Sequence, residues 1–119
     1  MIYLDTYALV EIHNNNPSYR EIASKQFIIP ELILAEFYGI ILRRHNKETA
    51  DYWIKKIRPY TEKTNFHIFI NAVLYRQKHN KEKLSLFDCV GYCSALENNS
   101  TFVTGDKAFR NKPHVKFIK

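Results

Sequence analysis

Four acidic residues of this chain sit among apolar neighbours. Asp5 follows Ile2-Tyr3-Leu4, Glu36 lies inside Leu34-Ala35-Glu36-Phe37-Tyr38, Asp88 inside Leu86-Phe87-Asp88-Cys89-Val90, and Asp106 follows Phe102-Val103-Thr104-Gly105. An isolated acid is usually a solvated surface group, but apolar flanks point to partial burial. A buried carboxylate is costly unless a cation compensates it, and several brought together raise one another's pKa. A hard divalent cation, Mg²⁺ or Mn²⁺, answers both costs: it prefers oxygen ligands, takes one or two carboxylates directly and keeps waters through which others act. Such a centre acidifies a water and neutralises the charge that develops on a phosphodiester under attack. Asp5, Glu36, Asp88 and Asp106 are therefore the expected metal-binding and catalytic residues of a phosphodiester hydrolase. The other acids, Glu11, Glu21, Glu48, Asp51, Glu62, Glu82 and Glu97, stand beside polar or charged residues and read as surface charge. Glu31, directly after Pro30, reads as a complement to a helix N-terminus.

Around the four acids lie residues that can serve them. Thr6 and Thr104 can donate hydroxyl hydrogen bonds to the neighbouring carboxylates, the plainer role being turn or strand structure. Gly39 lies three residues after Glu36 on the same helical face, leaving room for a ligand or for simple helix packing. Arg43, seven residues after Glu36, can reach a substrate phosphate or complement a helix C-terminus. Lys78, His79, Lys81 and Lys83 precede Asp88, while Lys107, Arg110 and Lys112 follow Asp106. That placement suits RNA phosphates, with Arg43, Lys83, Lys107 and Arg110 as the candidate contacts, although a solvated face explains any one lysine. Tyr3, Tyr7 and Phe109 can stack on unpaired bases, but aromatic residues so placed more often belong to the core.

The elements that must position these residues alternate between strand and helix. Ile2-Tyr3-Leu4 is a short strand ending at Asp5, and the sequence beyond it passes into a helix. Asn14-Asn15-Asn16-Pro17 breaks that helix, and Ser18 is expected to cap a short helix through about Lys25 before a second strand at Phe27-Ile28-Ile29. Pro30 suits a first helical position, and the helix after it places Ile33, Phe37, Ile40 and Ile41 at helical spacing. A further helix is expected over Thr49 to Ile57, then a brief extended segment from Tyr60 to Thr64. Phe66, Phe69, Ile70, Val73 and Leu74 mark a helix from Asn65 to about His79, followed by a charged loop. A helix from about Leu86 to Glu97 leads to a strand at Thr101-Phe102-Val103-Thr104, and a last strand lies in His114 to Ile118. This alternation predicts an α/β domain with a mainly parallel sheet, whose ligands gather beyond the carboxyl ends of the strands. Asp5 and Asp106 both follow strands, so both should reach one edge.

The bulk properties narrow the class. With 119 residues, 45% of them hydrophobic, the chain is expected to form one domain over residues 1–119. Cys89 and Cys93 read as free thiols of a reducing, cytoplasmic setting rather than a disulfide or a metal site. MIYLDT lacks the basic and long apolar stretches of a signal peptide, and the greasy run Leu32 to Leu42, interrupted by Glu36, is shorter than a membrane span. A net charge of +6 favours an anionic partner, nucleic acid or an acidic protein.

Taken together, MIYLDT, LILAEFYG, LSLFDCVGYCSA and TFVTGDKAF resemble the PIN-domain family, especially the VapC-type toxins, across essentially the whole chain. Their order and spacing carry the likeness more than any one of them. The resemblance implies a three-layer α/β/α fold and a Mg²⁺- or Mn²⁺-dependent endoribonuclease. Asp5 matches the family's first acid after strand one, Glu36 the acid of the helical E-x-x-G segment, Asp88 the acid opening a helix with Ala95 further along it, and Asp106 the acid of T-x-D with Thr104 as its threonine. Cys89 stands where a small residue is more usual, and His45 to Thr64 shows nothing family-specific. The resemblance further implies a homodimer neutralised by a VapB-like antitoxin. Competing readings are a PIN nuclease that processes RNA outside any toxin system, and a non-catalytic RNA- or protein-binding module. A phospho-aspartate receiver ranks last, because it needs paired acids near the N-terminus and Asp5 stands alone.

Overall fold

Short apolar strands separated by helices cannot pair through tight hairpins, so they must pair side by side in parallel through crossover connections. The computed structural model describes residues Met1–Lys119 and bears this out. In chain order the elements are β1 (Ile2–Leu4), α1 (Thr6–His13), α2 (Arg20–Ser24), β2 (Phe27–Pro30), α3 (Glu31–Arg44), α4 (Lys47–Ile57), β3 (Thr61–Glu62), α5 (Phe66–Lys78), α6 (Leu86–Glu97), β4 (Thr101–Thr104) and β5 (Val115–Phe117). The five strands form one sheet in the order β3-β2-β1-β4-β5, and every pairing is parallel. From the central β1 the chain moves outward to β2 on one side and later returns to β4 on the other. Leu4 pairs with Val103 across that junction. The strand order reverses between β1 and β4, where an open parallel sheet leaves a crevice at its carboxyl edge.

Alternation along the strands separates two cores. Leu4, Ile29 and Val103 pack with Leu9 of α1, Ile22 of α2, Ile33 and Phe37 of α3 and Ala50 of α4. Tyr3 and Phe102 face the other way and pack with Ile68 and Ala72 of α5, Val90 and Tyr92 of α6, and Phe109. The result is a three-layer α/β/α fold. No helix is long and apolar enough to cross a membrane. Cys89 and Cys93 are free thiols in the second core, and burial pushes both up to a pKa of about 11.

Several boundaries differ from the sequence expectation, each for a local hydrogen-bonding reason. Asn16, not Ser18, supplies the cap: its Oδ1 accepts from Ser18 N at 2.9 Å. A 3-10 turn over Pro17–Tyr19 then precedes α2, which ends at Ser24. Pro30 is not the first helical residue; it ends β2 with φ −58° and ψ 140°, and α3 starts at Glu31. Register explains this, because Pro30 is the residue that pairs with Glu62 of β3. Helix α4 starts at Lys47, two residues before Thr49, since Asn46 Oδ1 accepts from Thr49 N at 2.8 Å. In α5 the apolar residues that marked the helix are largely outside: Phe66 is 76% exposed and Leu74 63%, whereas Ile68 and Ala72 are buried. Both faces of α5 carry apolar side chains, so spacing alone selected the outer one; small Ala72 and Ile68 are the residues that pack into the core shared with α6.

Candidate active site

Asp5 is placed by the end of β1. Its backbone N donates to Val103 O of β4 at 3.3 Å, and its Oδ1 caps α1 by accepting from Ala8 N at 2.8 Å. Thr104, the last residue of β4, donates its hydroxyl to Asp5 Oδ2. The same Thr104 Oγ1 accepts from Asp106 N at 3.0 Å. One threonine thus ties together the two strand ends and the two acids that follow them. Asp106 in turn caps a 3-10 turn over Lys107–Phe109, its Oδ1 accepting from Ala108 N at 3.0 Å. Gly105 is required between them: a Cβ there would collide with the Tyr7 ring and lie 2.6 Å from Ile118 O. Tyr7 is therefore packed against this turn.

The other two acids come from helices on opposite sides of the sheet. Glu36 projects from α3, where the Thr6 hydroxyl at the start of α1 donates to Oε1. Asp88 is in the first turn of α6, held by a capping box: Ser85 Oγ accepts from Asp88 N at 3.0 Å and Asp88 Oδ2 accepts from Ser85 N at 3.3 Å. Thr6 and Thr104 thus each donate to one carboxylate. Ser85 is a positioning residue that the sequence reading passed over, although S-x-x-D immediately before an apolar run is a recognisable cap signal.

These side chains share one electrostatic field. Asp5 is 1% exposed, and burial pushes its pKa from 3.8 up to about 7, the bonds from Thr104 and Ala8 opposing and the charges of Asp88 and Asp106 adding. Burial also raises Glu36, with the charge of Asp88 adding and Thr6 and Arg43 pulling back. Asp88 is raised by burial, against the Ser85 bonds and with the charge of Asp106. The charges of Asp88 and Asp106 thus act on Asp5, that of Asp88 on Glu36 and that of Asp106 on Asp88, and no lysine or arginine forms a salt bridge with any of the four. In Glu36, Asp88 and Asp106 only one oxygen is occupied by a protein donor, which leaves hard oxygen donors for a cation. No three acidic, histidine or cysteine side chains close into a ready-made ligand set. The free oxygens of Glu36, Asp88 and Asp106 are of the type that a hard divalent cation takes, one or two directly and others through water.

The basic and aromatic candidates divide. Arg43 lies over Gly39, its Nη1 3.4 Å from where a Cβ would stand, so the space beside Glu36 is used by this arginine. Lys83 is exposed in a left-handed conformation with φ 55°, Lys107 is exposed in the turn after Asp106, and the Arg110 guanidinium sits 5.4 Å from the Phe117 ring centre. Lys112 is occupied differently: it pairs with Glu82 at 2.8 Å and lies 5.3 Å from the Tyr75 ring centre. Tyr3 and Phe109 are core residues, and Tyr3 OH donates to Glu62 Oε1 at 2.9 Å, which gives that acid a role beyond surface charge. Glu31 Oε1 accepts from Thr64 N at 3.2 Å, fastening the start of α3 to the segment after β3.

A three-layer domain with a 3-2-1-4-5 parallel sheet and acids gathered at its reversal point defines a PIN-like architecture. The PIN domain family model matches residues 2–115, and the chain belongs to that family. No curated protein sequence matches it. Among solved structures it is similar to Mycobacterium tuberculosis VapC20, described as a sarcin-ricin loop cleaving toxin, with TM-score 0.82, 16% identity and 100% of both chains covered. It is also similar to a chain of a toxin-antitoxin complex from Klebsiella pneumoniae, with TM-score 0.74, 18% identity, and 98% of this chain and 96% of that one covered. A third is a chain of VapBC2 from Rickettsia felis bound to a DNA fragment from its promoter, with TM-score 0.71, 19% identity, and 99% and 98% covered.

Proposed function

We propose that this chain is a divalent-metal-dependent endoribonuclease of the VapC toxin type, with Asp5, Glu36, Asp88 and Asp106 as its catalytic carboxylates. The observation that carries the reading is the Thr104 bridge, which couples Asp5 at the end of β1 to Asp106 after β4. An acid held near pKa 7 by burial and by its charged neighbours is the electrostatic signature of a site built for a positive guest. Mg²⁺ or Mn²⁺, held through the free oxygens of Glu36, Asp88 and Asp106 with Asp5 beside them, would supply acidification of water and neutralisation of phosphate charge. Thr104 and Ala8 fix the Asp5 carboxylate, Ser85 fixes Asp88, and Thr6 fixes Glu36, so the donors need little rearrangement. The attacking water displaces the 3′ oxygen in line, leaving a 5′-phosphate and a 3′-hydroxyl. Arg43, Lys83, Lys107 and Arg110 supply contacts to the RNA backbone.

The toxin reading draws on structural neighbours that are a toxin and chains of toxin-antitoxin assemblies. It assigns this protein a VapB-like antitoxin, a homodimeric state and a cytoplasmic place of action. Incubating the protein with RNA in Mg²⁺ or Mn²⁺, in chelator, and as Asp5→Asn or Asp106→Asn tests the site. Cleavage should need the metal and disappear in both variants while the circular dichroism spectrum persists. Undiminished cleavage by both variants would sink the metal-site assignment.

A further inference from the structure

Between the end of α5 and the start of α6 lies a cavity of about 560 Å³ walled by Arg76, Gln77, Asn80, Lys83, Leu84 and Ser85. Leu84 is its one apolar wall residue and is itself buried. Ser85 also belongs to the capping box that holds Asp88, so this cavity and the carboxylate site share a wall. Arg76 donates from Nε to Leu84 O at 2.8 Å, which holds the guanidinium in place while its Nη groups have no protein acceptor. Lys83 forms no salt bridge, whereas Glu82, the acid of the adjoining loop, is already paired with His79 at 2.6 Å and Lys112 at 2.8 Å. No acid lines the cavity.

We infer that this cavity binds a backbone phosphate of the RNA next to the one that is cut. The inference rests on the endoribonuclease reading and adds Arg76 to the substrate-binding surface. An anchored guanidinium, a free ammonium and two amide side chains make a donor-rich lining suited to an anion, and a pre-fixed arginine loses less entropy on binding phosphate than a free one. A protein partner would call for an apolar anchor at the centre of the contact, and the cavity has none exposed. Sharing Ser85 with the Asp88 helix places a bound phosphate along the strand leading to the carboxylates, where it sets the register of the scissile bond without reading bases.

The test is equilibrium binding of a labelled single-stranded oligoribonucleotide to the wild-type protein in chelator, at a series of salt concentrations. Arg76→Gln/Lys83→Asn should weaken binding tenfold or more and reduce the slope of log affinity against log salt by roughly 0.7 to 1 per lost phosphate contact. Lys83→Asn alone, which leaves the Arg76 anchor intact and suits a left-handed backbone, should show part of the loss with an unchanged melting temperature. Lys55→Gln/Arg58→Gln, charge removals at α4 and the turn after it, should change affinity less than twofold. Equal losses in the two double variants, or no loss in Arg76→Gln/Lys83→Asn or in Lys83→Asn, would overturn the inference. So would a glutamate-rich peptide whose binding falls in Arg76→Gln/Lys83→Asn while RNA binding does not. If the wild type binds RNA with the expected variant pattern yet never cleaves it in Mg²⁺ or Mn²⁺, the nuclease reading fails and the phosphate site stands.

Discussion

Replacing Asp5 by Asn should make the metal-free protein more stable at alkaline pH, although Asp5 is buried and hydrogen-bonded through both oxygens. Burial raises its pKa from 3.8 to about 7, so between those values the folded state holds a proton that the unfolded chain releases. The contribution of this carboxyl to stability is then greatest below pH 4, falls as pH rises through the window from about 4 to about 7, and is level above it. The interval between the two values corresponds to about 4 kcal/mol as a ceiling. The asparagine of the variant would keep the acceptor for Ala8 N but would present an amide N–H₂ to Thr104 Oγ1, which already accepts from Asp106 N. The displaced Thr104 hydroxyl proton costs about 1 kcal/mol. The net gain at alkaline pH is therefore about 2 to 3 kcal/mol, or roughly 10 °C in melting temperature for a domain of this size.

The assay is thermal melting of wild type and Asp5→Asn in chelator from about pH 4 to about pH 9, spanning both pKa values. Titrating groups remote from Asp5 are common to both proteins and cancel, so the difference between the curves reports this carboxyl together with its coupling to Asp88 and Asp106. That difference should grow up to a pH of about 7 and then stop growing. Added Mg²⁺ should narrow it by stabilising the wild type selectively, because a cation bound to the folded state stabilises it by mass action. A gap that is independent of pH, or a variant less stable than wild type at the alkaline end, would refute the claim that burial and neighbouring acids hold Asp5 in an unfavourable charged state.

Two further substitutions probe the parts that hold the acids. Gly105→Ala would push a methyl into the Tyr7 ring and the Ile118 carbonyl; it should cost about 1 to 3 kcal/mol in a denaturant melt and lower cleavage with it. Ser85→Ala removes one half of the capping box on α6, should cost about 1 kcal/mol, and leaves Asp88 less well held against protonation. The acid limb of its pH–rate profile should therefore move to higher pH relative to wild type.

The acids at strand ends were legible in the sequence because two local signals coincide at each: an apolar run of strand length and a carboxylate directly beyond it. Parallel alternation then sends Asp5 and Asp106 to one edge, and the β1–β4 register in the structure places Thr104 between them. Helix α6 was also legible to its ends, Leu86 and Glu97, since Val90, Cys93 and Leu96 fall at helical spacing and Asn98-Asn99 closes it. What local pattern left open was the choice between two apolar faces of α5. That choice depends on which face meets α6, and the answer, Ile68 and Ala72, involves a residue too small to stand out in a hydrophobic count. Arg76 was hidden for a related reason. Its partner, the carbonyl of Leu84, lies eight residues away across a 3-10 turn and a left-handed Lys83, so no helical spacing announces it. The same turn that conceals Arg76 from the sequence brings it beside Ser85, and so a basic cavity and a carboxylate site come to share one wall. Of the two acids along residues 76 to 88, Glu82 is neutralised by His79 and Lys112, so the basic side chains that line the cavity stand on one side of Ser85 and Asp88 on the other. That separation is what a polyanion needs if its backbone is to be held by one group of residues while carboxylates that form no salt bridge with lysine or arginine act on the neighbouring phosphate.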